Sequence, residues 1–181
     1  ARVTASVFHE TIEDSIFRQP NFFSGTTHFQ NIDEIRNWGG ELAFDSYGLG
    51  LEHLSFHANI GYVNARITEN SRFPASEGKR VPRVPEWRAN AFATYALTPK
   101  LDWTVGVRYG SDHFNDLDNS DGARGGAGFT DGYLVFDTKL AWNIGKGFRA
   151  AIGVDNIGDE RYYVVHPYPG RTYYFDLNWT F

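Results

Sequence analysis

A chain of 181 residues with a formal net charge of −5 has the length of one ordinary domain. The acidic balance argues against non-specific nucleic-acid binding, and the absence of cysteine excludes disulfides, thiolate metal sites and cysteine nucleophiles. No run of eighteen apolar residues predicts a transmembrane helix, and no signal peptide is visible. Because the chain opens inside an alternating segment, we expect that an upstream part of the protein is missing.

Period-two alternation of apolar and polar residues recurs along the chain and predicts eight β-strands and no prominent helix. The first segment, near residues 2–17, is noisier than the others. The apolar sets of the seven clearer strands are Trp38, Gly40, Leu42 and Phe44; Leu54, Phe56, Ala58, Ile60 and Tyr62; Trp87, Ala89, Ala91, Ala93, Tyr95 and Leu97; Leu101, Trp103, Val105, Val107 and Tyr109; Leu134, Phe136, Thr138, Leu140 and Trp142; Phe148, Ala150, Ile152 and Val154; and Tyr173, Phe175, Leu177, Trp179 and Phe181.

The connections between these strands alternate between short and long. Residues 46–52, 98–100 and 144–147 read as short turns, whereas the stretches predicted to be long loops are 18–27, 69–87, 112–131 and 158–170. Short turns at one end of the strands and long polar loops at the other are typical of outer-membrane β-barrels.

The distribution of charge indicates which face of the strands meets lipid. The seven apolar sets contain no charged residue, as expected where a charge costs about 2–4 kcal/mol at mid-membrane. Trp and Tyr lie near the ends of these sets, where aromatic belts meet the membrane interface. A soluble lipocalin or sandwich would instead bury the apolar set, and this alternative stays open here.

The C-terminal stretch from Gly153 to Phe181 resembles the C-terminus of TonB-dependent outer-membrane receptors. Weaker resemblance lies upstream, around Pro82 and Pro85 and in the Gly39-Gly40-Glu41-Leu42 core. The residues that carry the C-terminal match are Asp155-Asn156, Asp159-Glu160-Arg161-Tyr162, Pro169-Gly170-Arg171 and the terminal Phe181.

The resemblance implies an all-β, antiparallel transmembrane β-barrel segment of about eight strands, the last part of a 22-stranded barrel with a plugged lumen. Residues 1–181 would form the C-terminal part of that barrel, without the plug domain and the TonB box. The implied location is the outer membrane of a Gram-negative bacterium, in contact with lipid and lipopolysaccharide. The barrel-assembly machinery would read the terminal strand with its residues Tyr173, Phe175, Leu177, Trp179 and Phe181.

Members of this family commonly bind a ferric siderophore or another metal chelate and receive energy through TonB, which would act on the missing N-terminal part. We therefore expect a transporter without catalytic residues or cofactor. Basic residues of the loops would attract an anionic chelate, because arginine forks match carboxylates, although they could equally contact lipopolysaccharide phosphates or be solvated. The candidate ligand-binding residues are Arg72, Lys79, Arg80, Arg83, His113, Asp116, Arg124 and His166.

Two sets of potential metal ligands fail their geometric tests. With Asp116 first in a calcium loop, the sixth position is Asp121 rather than Gly and the twelfth is Ala127 rather than Glu. His53 and His57 lie four apart on a strand, which separates them by roughly 13 Å and excludes one shared ion.

Two alternatives to the receptor segment remain open at this point. A complete eight-stranded outer-membrane barrel with a structural or adhesive role would have a suitable length. A soluble ligand-binding barrel would have an apolar interior.

Overall fold

The alternating sequence forms one eight-stranded antiparallel sheet in the computed structural model, which describes residues 1–21, 24–48, 50–121 and 125–181. The predicted strand count is confirmed, and each strand pairs with its neighbours in chain order. The sheet consists of β1 (Arg2–Asn21), β2 (Thr26–Tyr47), β3 (Leu54–Glu69), β4 (Trp87–Thr98), β5 (Leu101–Gly110), β6 (Tyr133–Gly145), β7 (Phe148–Asp155) and β10 (Thr172–Trp179).

Two small elements lie in the connections. A 3-10 turn spans Pro74–Ser76, and β8 (Tyr163–Val164) pairs with β9 (His166–Pro167) in a minimal hairpin. Over the described residues, no helix is both long enough and apolar enough to cross a membrane.

The connections give the sheet a turn end and a loop end. The turn end carries residues 48, 50–53, 99–100 and 146–147, and the loop end carries 70–86, 111–121, 125–132 and 156–171. The long loop predicted at residues 18–27 is wrong, because β1 runs to Asn21 and β2 starts at Thr26. The outer end of this hairpin, where residues 18–21 pair with residues 26–29, lacks a clear apolar face and so gives no alternation signal although its backbone pairs.

The apolar set and the polar set occupy opposite faces of the sheet. Trp38, Trp103, Phe136 and Tyr173 are all exposed on the apolar face. The polar face carries cross-strand ion pairs, among them Arg108 Nε with Asp137 Oδ2 at 2.7 Å. An exposed apolar face fits contact with lipid and not with water, so the soluble alternative is not supported.

The buried apolar cluster lies at the loop end and not along the centre of the sheet. Its fully buried members are Ile32, Ile35, Ile67 and Leu117, and Phe17, Phe73 and Val81 pack against them. These residues come from three strands and two connecting loops, so the cluster joins the loops to the sheet.

The sheet is open. β1 and β10 each have one hydrogen-bonded neighbour within the described part of the chain, and they do not pair with each other. An unpaired strand edge presents a row of backbone groups that hydrocarbon cannot satisfy.

The open edges predict how residues 1–181 behave when they are produced alone. We expect no stable inserted monomer, because the edge groups would lack partners in lipid. Gel mobility in detergent should be identical before and after boiling, and protease should degrade the segment. A heat-modifiable, protease-resistant monomer would contradict this expectation.

Candidate functional site

The loop between β3 and β4 folds back against β3. Asn70 is fully buried and donates from Nδ2 to Ser76 Oγ at 2.8 Å, which closes the turn at Pro74–Ser76. The chain then pairs with β3 again, because Ile67 N donates to Lys79 O at 3.0 Å and Val81 N donates to Ala65 O at 3.1 Å. Residues 79–81 therefore extend the sheet at the loop end, on the N-terminal side of β4.

The loop between β5 and β6 is bound to this segment by reciprocal hydrogen bonds. Arg80 N donates to Asn119 Oδ1 at 2.9 Å, and Asn119 Nδ2 donates back to Arg80 O at 3.0 Å. Arg83 donates through Nε to Asn115 Oδ1 at 2.8 Å, and its guanidinium lies 5.7 Å from the centre of the Phe17 ring. Arg80 and Arg83 thus hold the two loops and β1 together.

Hydrogen bonds between backbone N–H groups and the Asp121 carboxylate order the acidic segment 112–121. Asp121 accepts hydrogen bonds from Asn115 N at 2.6 Å and Asp116 N at 3.3 Å. Asp116 in turn accepts from Gln19 Nε2 at 2.7 Å. Burial, followed by the nearby carboxylates of Asp121 and Asp118, raises the pKa of Asp116 above its ordinary range.

His113 lies half-buried beside this acidic segment. Burial lowers the pKa of its imidazole, and its Nδ1 atom has no hydrogen-bond partner among the described residues. Across the residues that the structure describes, no three His, Asp or Glu side chains are grouped so that they could hold a metal ion.

The last loop docks against the end of the β5–β6 connection. Asp131 accepts hydrogen bonds from Gly125 N and Tyr163 N, both at 3.1 Å. Three rings stack beside it, with Tyr162 centred 4.6 Å from Tyr133 and 4.8 Å from Tyr168. Burial raises the pKa of Tyr162 to about 12, so its hydroxyl stays protonated at neutral pH.

The C-terminal motif residues build the turn that leads into β10. Asn156 is buried and exchanges two hydrogen bonds of 2.9 Å with the backbone of Glu160. Arg171 donates from its backbone N to Asp159 Oδ1 and from Nε to Ile157 O, both at 2.8 Å. These side chains satisfy backbone groups of a tight connection, which accounts for their spacing in the sequence.

The predicted ligand-binding residues divide into two groups. Arg80, Arg83, His113 and Asp116 lie in the packed loops, where Arg83 is exposed and the other three are partly buried. Arg72, Lys79 and His166 are exposed. The side chains of those three exposed residues form no hydrogen bond with the described residues. Arg124 lies outside the described residues. The predicted assembly-signal residues Tyr173, Phe175, Leu177 and Trp179 are exposed on β10, and Phe181 follows the strand.

Sequence reasoning missed the buried polar residues that organise the loops. Asn115 and Asp131 are almost fully buried, and Asn119 bridges two loops. Asn156 belongs to the C-terminal motif, although the motif alone did not indicate its hydrogen bonds to the Glu160 backbone. The only available signal was the enrichment of Asn and Asp in these connections, which marks turns without naming their partners.

Comparison with known proteins identifies the family to which this fold belongs. Residues 1–157 match the family model described as "TonB dependent receptor-like, beta-barrel". This chain belongs to the TonB-dependent receptor family. The catecholate siderophore receptor Fiu of Escherichia coli K12 is 31% identical over 99% of the chain and 23% of Fiu. The family resemblance inferred from residues 153–181 is confirmed.

Solved structures of related barrels share the fold. The siderophore receptor PiuA of Acinetobacter baumannii superposes with a TM-score of 0.75 at 20% identity, over 98% of this chain and 26% of PiuA. The copper transporter OprC superposes with a TM-score of 0.73 at 19% identity, over 99% of this chain and 28% of OprC. The chain therefore spans about a quarter of the length of the relatives that it matches.

The raised pKa of Asp116 predicts a pH dependence of loop order. Because the folded loop binds this proton more tightly than the unfolded chain, the carboxyl favours the folded loop below its unfolded pKa. That contribution is lost as pH rises through the folded value. Asp116→Asn removes the charge and keeps an acceptor for Gln19, so hydrogen exchange of residues 111–121 should slow at neutral pH. Equal protection factors at mildly acidic and neutral pH in the unsubstituted protein, after correction for the intrinsic pH dependence of amide exchange, would contradict this.

Replacement of Asn156 tests the turn before β10. Asn156→Ala leaves the Glu160 backbone groups without their partner, and local stability should fall by about 1–3 kcal/mol. Since Asn156 has a φ of 54°, alanine also adds backbone strain. Asn156→Gly relieves the backbone strain but does not restore the side-chain hydrogen bonds. Hydrogen exchange of residues 156–171 should therefore still be faster than in the unsubstituted protein. Exchange restored by glycine would show that only backbone conformation matters.

Proposed function

We propose that this chain is the C-terminal part of the β-barrel of an outer-membrane receptor that imports a scarce metal chelate, a ferric siderophore foremost. The observation that carries the proposal is the match of almost the whole chain to a catecholate siderophore receptor at 31% identity. Import would draw energy through TonB, acting on a plug domain outside residues 1–181. The family consists of transporters, so no catalytic residue is assigned.

The architecture of the sheet supports assignment to a larger barrel. A complete eight-stranded barrel would require pairing of β1 with β10, and each of these strands has an unpaired edge. Nothing in the described residues favours the structural or adhesive alternative. The apolar face would contact membrane lipid, and the exposed apolar side chains of β10 suit recognition by the barrel-assembly machinery.

The loop end would supply ligand contacts. Arg72 and Lys79 are exposed cations whose side chains have no hydrogen-bond partner among the described residues, and His166 is exposed on β9. Open guanidinium and ammonium donors suit the carboxylate or catecholate oxygens of an anionic chelate. Arg80 and Arg83 would act by holding the loops in position, and Arg124 stays a candidate from sequence.

Uptake of radiolabelled iron tests this proposal directly. Cells that produce the complete receptor should accumulate iron supplied as a ferric catecholate, and deletion of the receptor or of TonB should abolish this accumulation. Ferric citrate and a ferric hydroxamate serve as competing chelate classes. Accumulation of all three chelates independent of the receptor would overturn the proposal.

Removal of the two exposed cations should weaken chelate capture. We expect Arg72→Gln with Lys79→Gln to lower affinity for the transported chelate by about tenfold, since each exposed charge contributes up to about 1 kcal/mol. Binding to the purified complete receptor measures this effect. Lys100→Gln with Lys146→Gln removes the same charge from exposed positions at the turn end and should leave affinity unchanged.

A further inference from the structure

The last loop carries an exposed tyrosine between two prolines. Tyr168 lies between Pro167 and Pro169, and its exposed fraction is 50%. Its backbone is nevertheless fixed, because Tyr168 N donates to Tyr162 O at 3.0 Å and Asn156 Nδ2 donates to Pro169 O at 3.4 Å. Each proline also locks its own φ angle. The exposed ring is therefore carried by an ordered segment.

Tyr168 is the outer ring of a stack of three tyrosines. The ring planes of Tyr133 and Tyr162 differ by 26°, and those of Tyr162 and Tyr168 differ by 21°. Tyr162 is buried in the middle of the stack, whereas Tyr168 is exposed. Among the described residues, Tyr162 is the only ring that contacts Tyr168. Because nearly parallel rings attract one another when they are offset, the outer face of Tyr168 can accept one more planar ring.

His166 projects from the same side of the segment as Tyr168. Val164 opposes His166 in the β8–β9 hairpin, and Tyr162 opposes Tyr168 through the backbone hydrogen bond that continues this pairing. Residues two apart in an extended segment share a face and lie roughly 7 Å apart. The His166 side chain is exposed and forms no hydrogen bond within the described part of the chain. An imidazole N–H can therefore reach an oxygen substituent of a ring that stacks on Tyr168.

The tip of the hairpin has a strained backbone. Val165 has a φ of 66°, which is a genuine outlier for a β-branched residue. Two hydrogen bonds to the β5–β6 connection hold it there, since Gly128 N donates to Val165 O at 2.7 Å and Val165 N donates to Phe129 O at 2.9 Å. Strain of this kind concentrates at ligand-contacting sites. Here it turns the chain at the residue directly before His166.

We infer that Tyr168 and His166 form a stacking site for the aromatic ring of a catecholate chelate. The ring would lie on the outer face of Tyr168, and a catecholate oxygen would accept a hydrogen bond from His166. This inference rests on the proposed import of a metal chelate, and it names residues that select aromatic chelates over aliphatic ones. Ring stacking adds affinity beyond the area that is buried, and a site that is already ordered loses little entropy on binding.

The test measures binding of the iron(III) complex of dihydroxybenzoate, a simple catecholate, to the purified complete receptor. Tyr168→Leu keeps an apolar side chain without the ring and should weaken binding about fivefold. Tyr168→Phe keeps the ring and should retain the affinity, and Tyr168→Trp should at least retain it. His166→Ala should also weaken binding, and His166→Gln should restore most of the affinity because it keeps an N–H donor.

The matched control is Tyr47→Leu, which removes an exposed tyrosine at the turn end of β2 and should leave the affinity unchanged. Equal affinity of the Tyr168→Leu receptor and the unsubstituted receptor would overturn the stacking site. A loss that is accompanied by faster hydrogen exchange of residues 156–171 would also overturn it, because the ring would then only support the loop.

The stacking site and the import proposal fail in different ways. Import is judged by iron uptake through the unsubstituted receptor, which none of these substitutions alters. A receptor that imports ferric citrate but does not bind the dihydroxybenzoate complex would overturn the stacking site and leave chelate import intact.

Discussion

Every backbone group of a chain that crosses hydrocarbon needs a hydrogen-bond partner inside the protein, and this constraint governs the rest of the molecule. The eight paired strands satisfy it laterally, which leaves side chains to alternate between an apolar and a polar face. At the loop end the regular ladder stops. Buried side chains such as Asn70, Asn115 and Asn156 take over the pairing of backbone groups there.

The loops are consequently packed rather than loose. Arg80 and Arg83 hydrogen-bond and stack within the segment, and Leu117 fills the apolar cluster beneath it. Arg72 and Lys79, the exposed cations that remain available to a ligand, are therefore carried by ordered loops. Loops that are already ordered lower the entropic cost of forming a binding surface.

The outer part of β3 separates two surfaces. Ile67 faces the buried loop cluster, and its neighbour Arg66 faces the opposite side of the sheet. Successive side chains of a strand point to opposite faces, so a few residues of β3 support the packed loops on one side and continue the outer surface of the sheet on the other.

Alternation and the motif at residues 153–181 determined the strand count, the lipid-facing side and the family from sequence alone, because each is a local pattern. Only the tertiary structure decided the partners of the loop arginines. Arg80 meets Asn119 across 39 positions, and no periodicity encodes that contact. The face that Arg66 occupies depends on register, since a slip of one residue would turn its side chain to the other face. The outer end of the β1–β2 hairpin was predicted as a loop, because the pairing of residues 18–21 with 26–29 carries no apolar pattern.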